Sequence, residues 1–173
     1  MSGFRRIDDI VRARAAAEPL DPALIEGKTV LSYGELDAAI ESACLRLAEL
    51  GVGPGDRVMV VCENSIAAVV LIYAILRCDA WAVPVNARLS AREIDVIRNH
   101  CSPRRLFYTG EISPEAAGHG VRHNAETMQF GSIGEIGVSP PGDGDAEPCF
   151  DDPARQVAIL IYTSGTTGAP KGV

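Results

Sequence analysis

The sequence lacks an excess of positive charge, a long apolar segment and an apolar leader at its start, and each absence argues against one class of protein. Lysine and arginine number 16 against 23 acidic residues, so the net charge is −7. General nucleic-acid binders need a basic face that neutralises phosphates, so we expect no nucleic-acid partner. The longest apolar run, residues 66–76, is shorter than the roughly 20 residues that cross a bilayer. Residues 1–20 contain four arginines and no apolar stretch. We therefore expect neither a transmembrane segment nor a secretion signal.

The cysteines are not typical of a disulfide scaffold or of a zinc site. They are odd in number, widely spaced and without a CxxC pair, at Cys44, Cys62, Cys78, Cys101 and Cys149. We interpret them as reduced thiols of a cytoplasmic protein, most of them small core residues. His119 and His123 are four residues apart, but glycines flank His119 and no third ligand follows at a suitable spacing. We therefore predict no metal site on protein ligands.

The negative charge is concentrated in one segment. Between His123 and Ala154 there is no lysine or arginine, whereas seven acidic residues fall there: Glu126, Glu135, Asp143, Asp145, Glu147, Asp151 and Asp152. Residues 131–154 are also rich in glycine and proline. This composition predicts a mobile, solvated surface loop with no assignable role.

Helical and strand patterns alternate along the chain, which predicts βαβ units around a parallel sheet and hence the α/β fold class. Two capping boxes begin helices, at Ser32 with Glu35 and at Ser90 with Glu93, and Asn64 can cap a third. The predicted helices cover residues 4–17, 32–50, 65–78 and 90–102, with a short one after Ser113. The predicted strands are residues 23–25, 29–31, 58–62, 81–85, 106–108, 127–130 and 157–162.

The segment with the most chemical information is residues 162–171, which directly follow the last predicted strand. Glycines there let the backbone approach a ligand, so that several N–H groups can converge on one anion. Hydroxyl groups add donors and a lysine adds a full positive charge. This is the composition of a phosphate cradle at the carboxyl end of a sheet strand. The segment is not a Walker A loop, because Gly168 and Lys171 are separated by two residues and glycine follows the lysine.

A turn that merely connects two strands is the alternative explanation for any isolated loop of this kind. Two observations favour the phosphate cradle. The chain has 14 arginines but only two lysines, Lys28 and Lys171, so Lys171 does not belong to a lysine-rich surface. The small, flexible and basic residues are also crowded at the end of a strongly apolar strand.

Residues 160–173, LIYTSGTTGAPKGV, resemble the phosphate-loop signature of the adenylate-forming superfamily, which includes acyl-CoA synthetases, luciferases and adenylation domains of peptide synthetases. Three earlier stretches agree in the same order: LSYGEL at 31–36, GDRV at 55–58 and AVPVNARLS at 82–90. The resemblance extends over residues 4–173, so residues 1–173 are expected to be the N-terminal part of an adenylation domain. We interpret the three earlier stretches as caps, turns and strand ends.

The resemblance implies that a carboxylic acid reacts with Mg²⁺ and ATP to give an acyl-adenylate and pyrophosphate, and that the acyl group then passes to a thiol, most commonly that of CoA. It assigns ATP phosphate binding to Thr163, Ser164, Gly165, Thr166, Thr167, Gly168 and Lys171. Lys171 is also the candidate catalytic cation, because it would neutralise the departing pyrophosphate.

The later elements of the superfamily do not occur in these residues: the acyl and adenine pockets, the T-G-D motif, the magnesium-binding glutamate and the lysine of the C-terminal domain. We therefore expect the chain to be an incomplete, inactive part of a ligase. A second hypothesis is a genuine short, non-catalytic nucleotide-binding or assembly module with a separate partner. The acid substrate, the acceptor thiol and the oligomeric state are not readable from the sequence.

Overall fold

The computed structural model describes residues 4–164 and 170–173, and of Ser164 and Pro170 it describes the backbone alone. The helices are α1 (Asp8–Ala17), α2 (Tyr33–Glu49), α3 (Ile66–Arg77), α4 (Ala91–Cys101) and α5 (Pro114–Arg122). The strands are β1 (Pro22–Glu26), β2 (Thr29–Ser32), β3 (Arg57–Cys62), β4 (Trp81–Asn86), β5 (Arg105–Tyr108), β6 (Glu126–Gln129), β7 (Glu135–Val138), β8 (Tyr162–Ser164) and β9 (Pro170–Gly172). No helix in this part of the chain is long and apolar enough to span a membrane.

Five strands form the main sheet in the order β4-β3-β5-β7-β6. Strand β3 is parallel to both β4 and β5, whereas β7 is antiparallel to β5 and β6. The α/β class is thus confirmed, but the sheet is mixed rather than parallel as predicted. The cause is the tight connection between β6 and β7, where Gly131 and Gly134 adopt positive φ. A connection this short leaves no room for the crossover that parallel strands require.

The sheet separates two layers of helices, because alternate residues of each strand face opposite sides. Val58 and Val60 of β3 pack with α2 and α3, whereas Met59 and Val61 pack with α4 and α5. All four side chains are fully buried. Residues 58–62 of β3 are all apolar, as expected for a strand covered on both faces.

The helix starts were predicted well where a serine provides the cap. Both capping boxes form: the Glu35 N–H donates to Ser32 Oγ and the Glu93 N–H donates to Ser90 Oγ, each at 3.3 Å. The prediction that Asn64 caps α3 was wrong, because Ser65 Oγ accepts the Ala68 N–H at 3.1 Å. The first helix begins at Asp8 rather than at residue 4.

The segment 131–154 lies against the amino ends of β3 and β5. Arg57 forms an ion pair with Glu147 and donates to the Asp145 carbonyl at 3.0 Å. The Glu147 N–H in turn donates to the Gly55 carbonyl at 2.9 Å. The prediction that the whole segment is a loop was wrong, because residues 135–138 form β7. The rest runs as a connector held by backbone and arginine hydrogen bonds.

Candidate functional site

Strands β8 and β9 pair in antiparallel orientation near the end of the chain. We call these two strands (residues 162–164 and 170–172) the phosphate hairpin, after the phosphate binding that the sequence predicts. Thr163 is the register partner of Lys171, and the backbone of Ser164 pairs with that of Pro170. Of the candidate phosphate-binding residues, the structure thus brings Thr163, Ser164 and Lys171 together. The other four, Gly165, Thr166, Thr167 and Gly168, lie outside the described residues.

The chain that enters the hairpin adds to the open edge of β4. The Ala82 N–H donates to the Ala158 carbonyl at 2.9 Å, and the Leu160 N–H donates to the Ala82 carbonyl at 2.8 Å. This is an isolated parallel bridge between Ala82 and Ile159, so the predicted strand 157–162 was only partly right. Because the bridge is parallel, the chain runs toward the carboxyl end of β4, where Tyr162 and Thr163 line the same cleft as Asn86. Ligands of α/β proteins bind at that end of the sheet.

A histidine of α4 contacts the base of the hairpin. The Tyr162 hydroxyl lies 2.6 Å from His100 Nδ1, and the two rings meet edge to face with centroids 5.5 Å apart. Partial burial raises the pKa of Tyr162 to about 12, so the phenol keeps its proton at neutral pH. The residues around His100 in the sequence could not reveal this contact, because its partner lies 62 positions away.

Two clefts open at the carboxyl ends of β3 and β4, and the first of them borders the hairpin. The first, of about 250 Å³, is mainly apolar and is lined by residues that include Pro84, Leu89, Ile97, Tyr162 and Thr163. The second, of about 410 Å³, is more polar and is lined by residues that include Glu63, Asn64, Asn86 and Arg88. Both clefts share Pro84, Val85 and Asn86, so the stretch 82–90 separates them.

The residues of this stretch also have clear structural roles. Asn86 Oδ1 accepts the Arg88 N–H at 2.9 Å, which stabilises the turn after β4. Arg88 Nη2 donates to Glu63 at 2.7 Å, and this hydrogen bond lowers the pKa of Glu63. The interpretation of residues 82–90 as a turn and strand end therefore agrees with these contacts, although the stretch also borders the clefts.

His119 and His123 belong to a buried polar network rather than to a metal site. His123 Nε2 lies 2.8 Å from Asp95 and its Nδ1 lies 2.5 Å from the Tyr108 hydroxyl. Since the Asp95 carboxylate can only accept, Nε2 carries the proton and Tyr108 donates to Nδ1. Burial lowers the pKa of His123, which keeps the ring neutral. In residues 4–164 and 170–173 no group of three or more His, Cys, Asp or Glu side chains could hold a metal ion.

The architecture is that of the N-terminal domains of adenylate-forming enzymes. The inhibitor-bound N-terminal domain of FACL13 from Mycobacterium tuberculosis matches it with a TM-score of 0.72 and 25% sequence identity, covering 98% of this chain and 44% of that one. Residues 11–173 match the family model of the AMP-binding enzyme. The chain belongs to this family, and the resemblance noted from its motifs is confirmed.

Relatives with curated functions include CoA ligases and large synthetases. Among the synthetases, the Fumosorinone synthetase of Cordyceps fumosorosea is 34% identical over 156 aligned positions, covering 87% of this chain and 4% of the relative. The long-chain-fatty-acid–CoA ligase FadD13 of Mycobacterium tuberculosis is 29% identical over 178 aligned positions, covering 98% of this chain and 35% of the relative. The probable CoA ligase CCL9 of Humulus lupulus is 31% identical over 172 positions, covering 92% of this chain and 32% of the relative. The chain thus spans about a third of the length of these two ligases and a far smaller share of the synthetase.

Proposed function

We propose that the chain is the N-terminal part of an ATP-dependent ligase that converts a carboxylic acid into an acyl-adenylate and then into a thioester with CoA. The observation that carries this proposal is the cross-strand pair of Thr163 and Lys171 at the carboxyl end of the sheet. Family membership supports the ligase class, and the names of the relatives that are CoA ligases support CoA as the acceptor.

In this proposal the phosphate hairpin binds the β- and γ-phosphates of ATP, which arrives as its Mg²⁺ complex. Lys171 is exposed and in register with Thr163, so an ammonium group and a hydroxyl group project from neighbouring strands. Together with Ser164, Gly165, Thr166, Thr167 and Gly168 they would surround a phosphate with donors. Such donors stabilise charge that develops on the leaving pyrophosphate. Lys171 is accordingly the proposed catalytic cation.

Mg²⁺ and ATP should shift the amide NMR signals of β8 and β9 in the isolated chain and leave those of the β1–β2 hairpin unchanged. We expect Lys171→Ala to weaken this binding about tenfold, because a hydrogen bond to a charged group contributes about 1.5–3 kcal/mol and an exposed lysine lies at the lower end. Lys28→Ala is the matched control, since Lys28 is also exposed in a hairpin, and it should leave the affinity unchanged. Equal effects of the two substitutions would contradict the assignment of Lys171.

The isolated chain should release no pyrophosphate from ATP with any carboxylic acid. Release would contradict the view that residues 1–173 contribute only part of the active site. The coding sequence downstream of Val173 distinguishes the two hypotheses, a part of a ligase and a short binding module. An open frame with a T-G-D motif and a late lysine supports the ligase, whereas an immediate stop codon supports a short binding module.

A further inference from the structure

Two of the five cysteines lie close together between the helices on one face of the sheet. Cys44 is in the middle of α2, and Cys78 follows the last residue of α3. Their Sγ atoms are 2.8 Å apart. A disulfide bond is about 2.05 Å long, so a shift of less than about 1 Å would join the two sulfurs.

The surrounding contacts hold the two helices in this position. Arg77, next to Cys78, donates to Asp37 at 2.6 Å and to Glu41 at 3.1 Å, and both acceptors are on α2. Ile40 and Leu47 on the inner face of α2 are fully buried in the same core as α3. Sliding of α2 along α3 would break these contacts, so the two thiols stay side by side.

The two thiols differ from each other in acidity, because the hydrogen bond between them and burial raise the pKa of Cys78. The hydrogen bond from Cys78 lowers the pKa of Cys44, which favours the nucleophilic thiolate. Burial raises the pKa of Cys62 and of Cys101 to about 11 each. Cys44 and Cys78 are partly exposed, so a small oxidant can reach them.

We propose that Cys44 and Cys78 are a redox modification site, at which a peroxide converts the thiol pair into a reversible disulfide between α2 and α3. The Cys44 thiolate attacks one oxygen of the peroxide, the O–O bond breaks, and a sulfenic acid and one water form once the released proton is taken up. The sulfur of Cys78 then attacks that of Cys44, and hydroxide leaves with the Cys78 proton as a second water. The two thiols lose two electrons in total, and the peroxide gains them.

The disulfide would lie at the opposite end of the sheet from the phosphate hairpin. Cys78 is at the carboxyl end of α3, whereas the amino end of α3 follows the carboxyl end of β3. The cross-link closes a loop of 34 residues that contains β3. Oxidation is therefore expected to make the chain harder to unfold, since closing a loop restricts the unfolded state. The proposal is independent of the ligase function.

The test is a disulfide map of the whole chain after treatment with hydrogen peroxide, alkylation of the remaining thiols and digestion with trypsin. Cleavage after lysine and arginine places Cys44 in peptide 29–46, Cys62 in peptide 58–77 and Cys78 in peptide 78–88. We expect a cross-linked species of peptides 29–46 and 78–88, a fall from five free thiols to three, and recovery of all thiols after reduction with dithiothreitol. The urea midpoint of the oxidised chain should exceed that of the reduced chain.

Variants make the test specific. Cys44→Ser and Cys78→Ser should each abolish the cross-link and the shift in the urea midpoint. Cys62→Ser is the matched control, because Cys62 is also partly buried in the same face, and it should keep both. The proposal is overturned if the two peptides stay unlinked at complete peroxide consumption, or if oxidation yields only intermolecular dimers through the exposed Cys149.

Discussion

Replacing Gly55 with alanine should destabilise the chain by about 3 kcal/mol. Gly55 has φ of +79°, and a Cβ there would overlap the carbonyl group of Glu147. A left-handed conformation costs an L-residue about 1–2 kcal/mol. The displaced segment would also lose the hydrogen bond from the Glu147 N–H to Gly55, a loss of about 1 kcal/mol. The ion pair between Arg57 and Glu147 is partly exposed and adds about 0.5 kcal/mol.

Alanine substitutions at two other glycines distinguish the conformational cost from the loss of contacts in urea unfolding experiments. Gly27 has φ of +59°, and a Cβ added there would have no atom within 4 Å, so Gly27→Ala should lose only the conformational part, about 1–2 kcal/mol. Gly53 has neither a positive φ nor a neighbour within 4 Å, and Gly53→Ala should change the unfolding free energy by less than about 0.5 kcal/mol. If Gly55→Ala loses no more than Gly27→Ala, the acidic segment contributes nothing through its contact with Gly55.

Two further predictions concern helix capping and pH. Ser90→Ala should lower the unfolding free energy by about 1 kcal/mol, since it removes the oxygen that accepts the Glu93 N–H. Ser90→Thr keeps a hydroxyl group and should retain most of this stabilisation. Equal losses of unfolding free energy for the two variants in urea would refute capping as the cause. The pKa of His123 is lowered in the fold from its usual 6.5, so the unfolded chain binds the proton more readily and stability should fall as pH drops below 6.5. Thermal unfolding of His123→Gln should show a weaker dependence on pH in this range, and a stability that rises on acidification would contradict the burial argument.

Much of the fold could be predicted because its signals are local. A serine three residues before a glutamate describes both capping boxes, at Ser32 and Ser90, and the apolar run of β3 indicates a strand covered on both faces. The choice between Asn64 and Ser65 as cap could not be predicted, since both side chains can accept the required N–H. It depends on where the chain leaves β3, which places Ser65 in an extended conformation at the start of α3.

The features that were missed depend on partners far away in the sequence. Strand β7 has only four residues and lies in a segment rich in glycine and proline, so it becomes a strand only through pairing with β5 and β6. The contact between His100 and Tyr162 and the approach of Cys44 to Cys78 depend in the same way on tertiary packing. Within the candidate site, the sequence motif predicted where the hairpin and its lysine lie. The two clefts were not predicted, because they form only where β3, β4 and α4 come together in the fold.

The position of β3 between β4 and β5 has a consequence for how the chain folds during synthesis. Both of its hydrogen-bonding partners, β4 and β5, follow it in the sequence. A nascent chain that has not yet extended past residue 108 therefore exposes at least one unpaired edge of its most apolar strand. Such edges associate with other chains and are bound by chaperones. The period of greatest risk for the growing polypeptide should accordingly begin when β3 leaves the ribosome and end when β5 does.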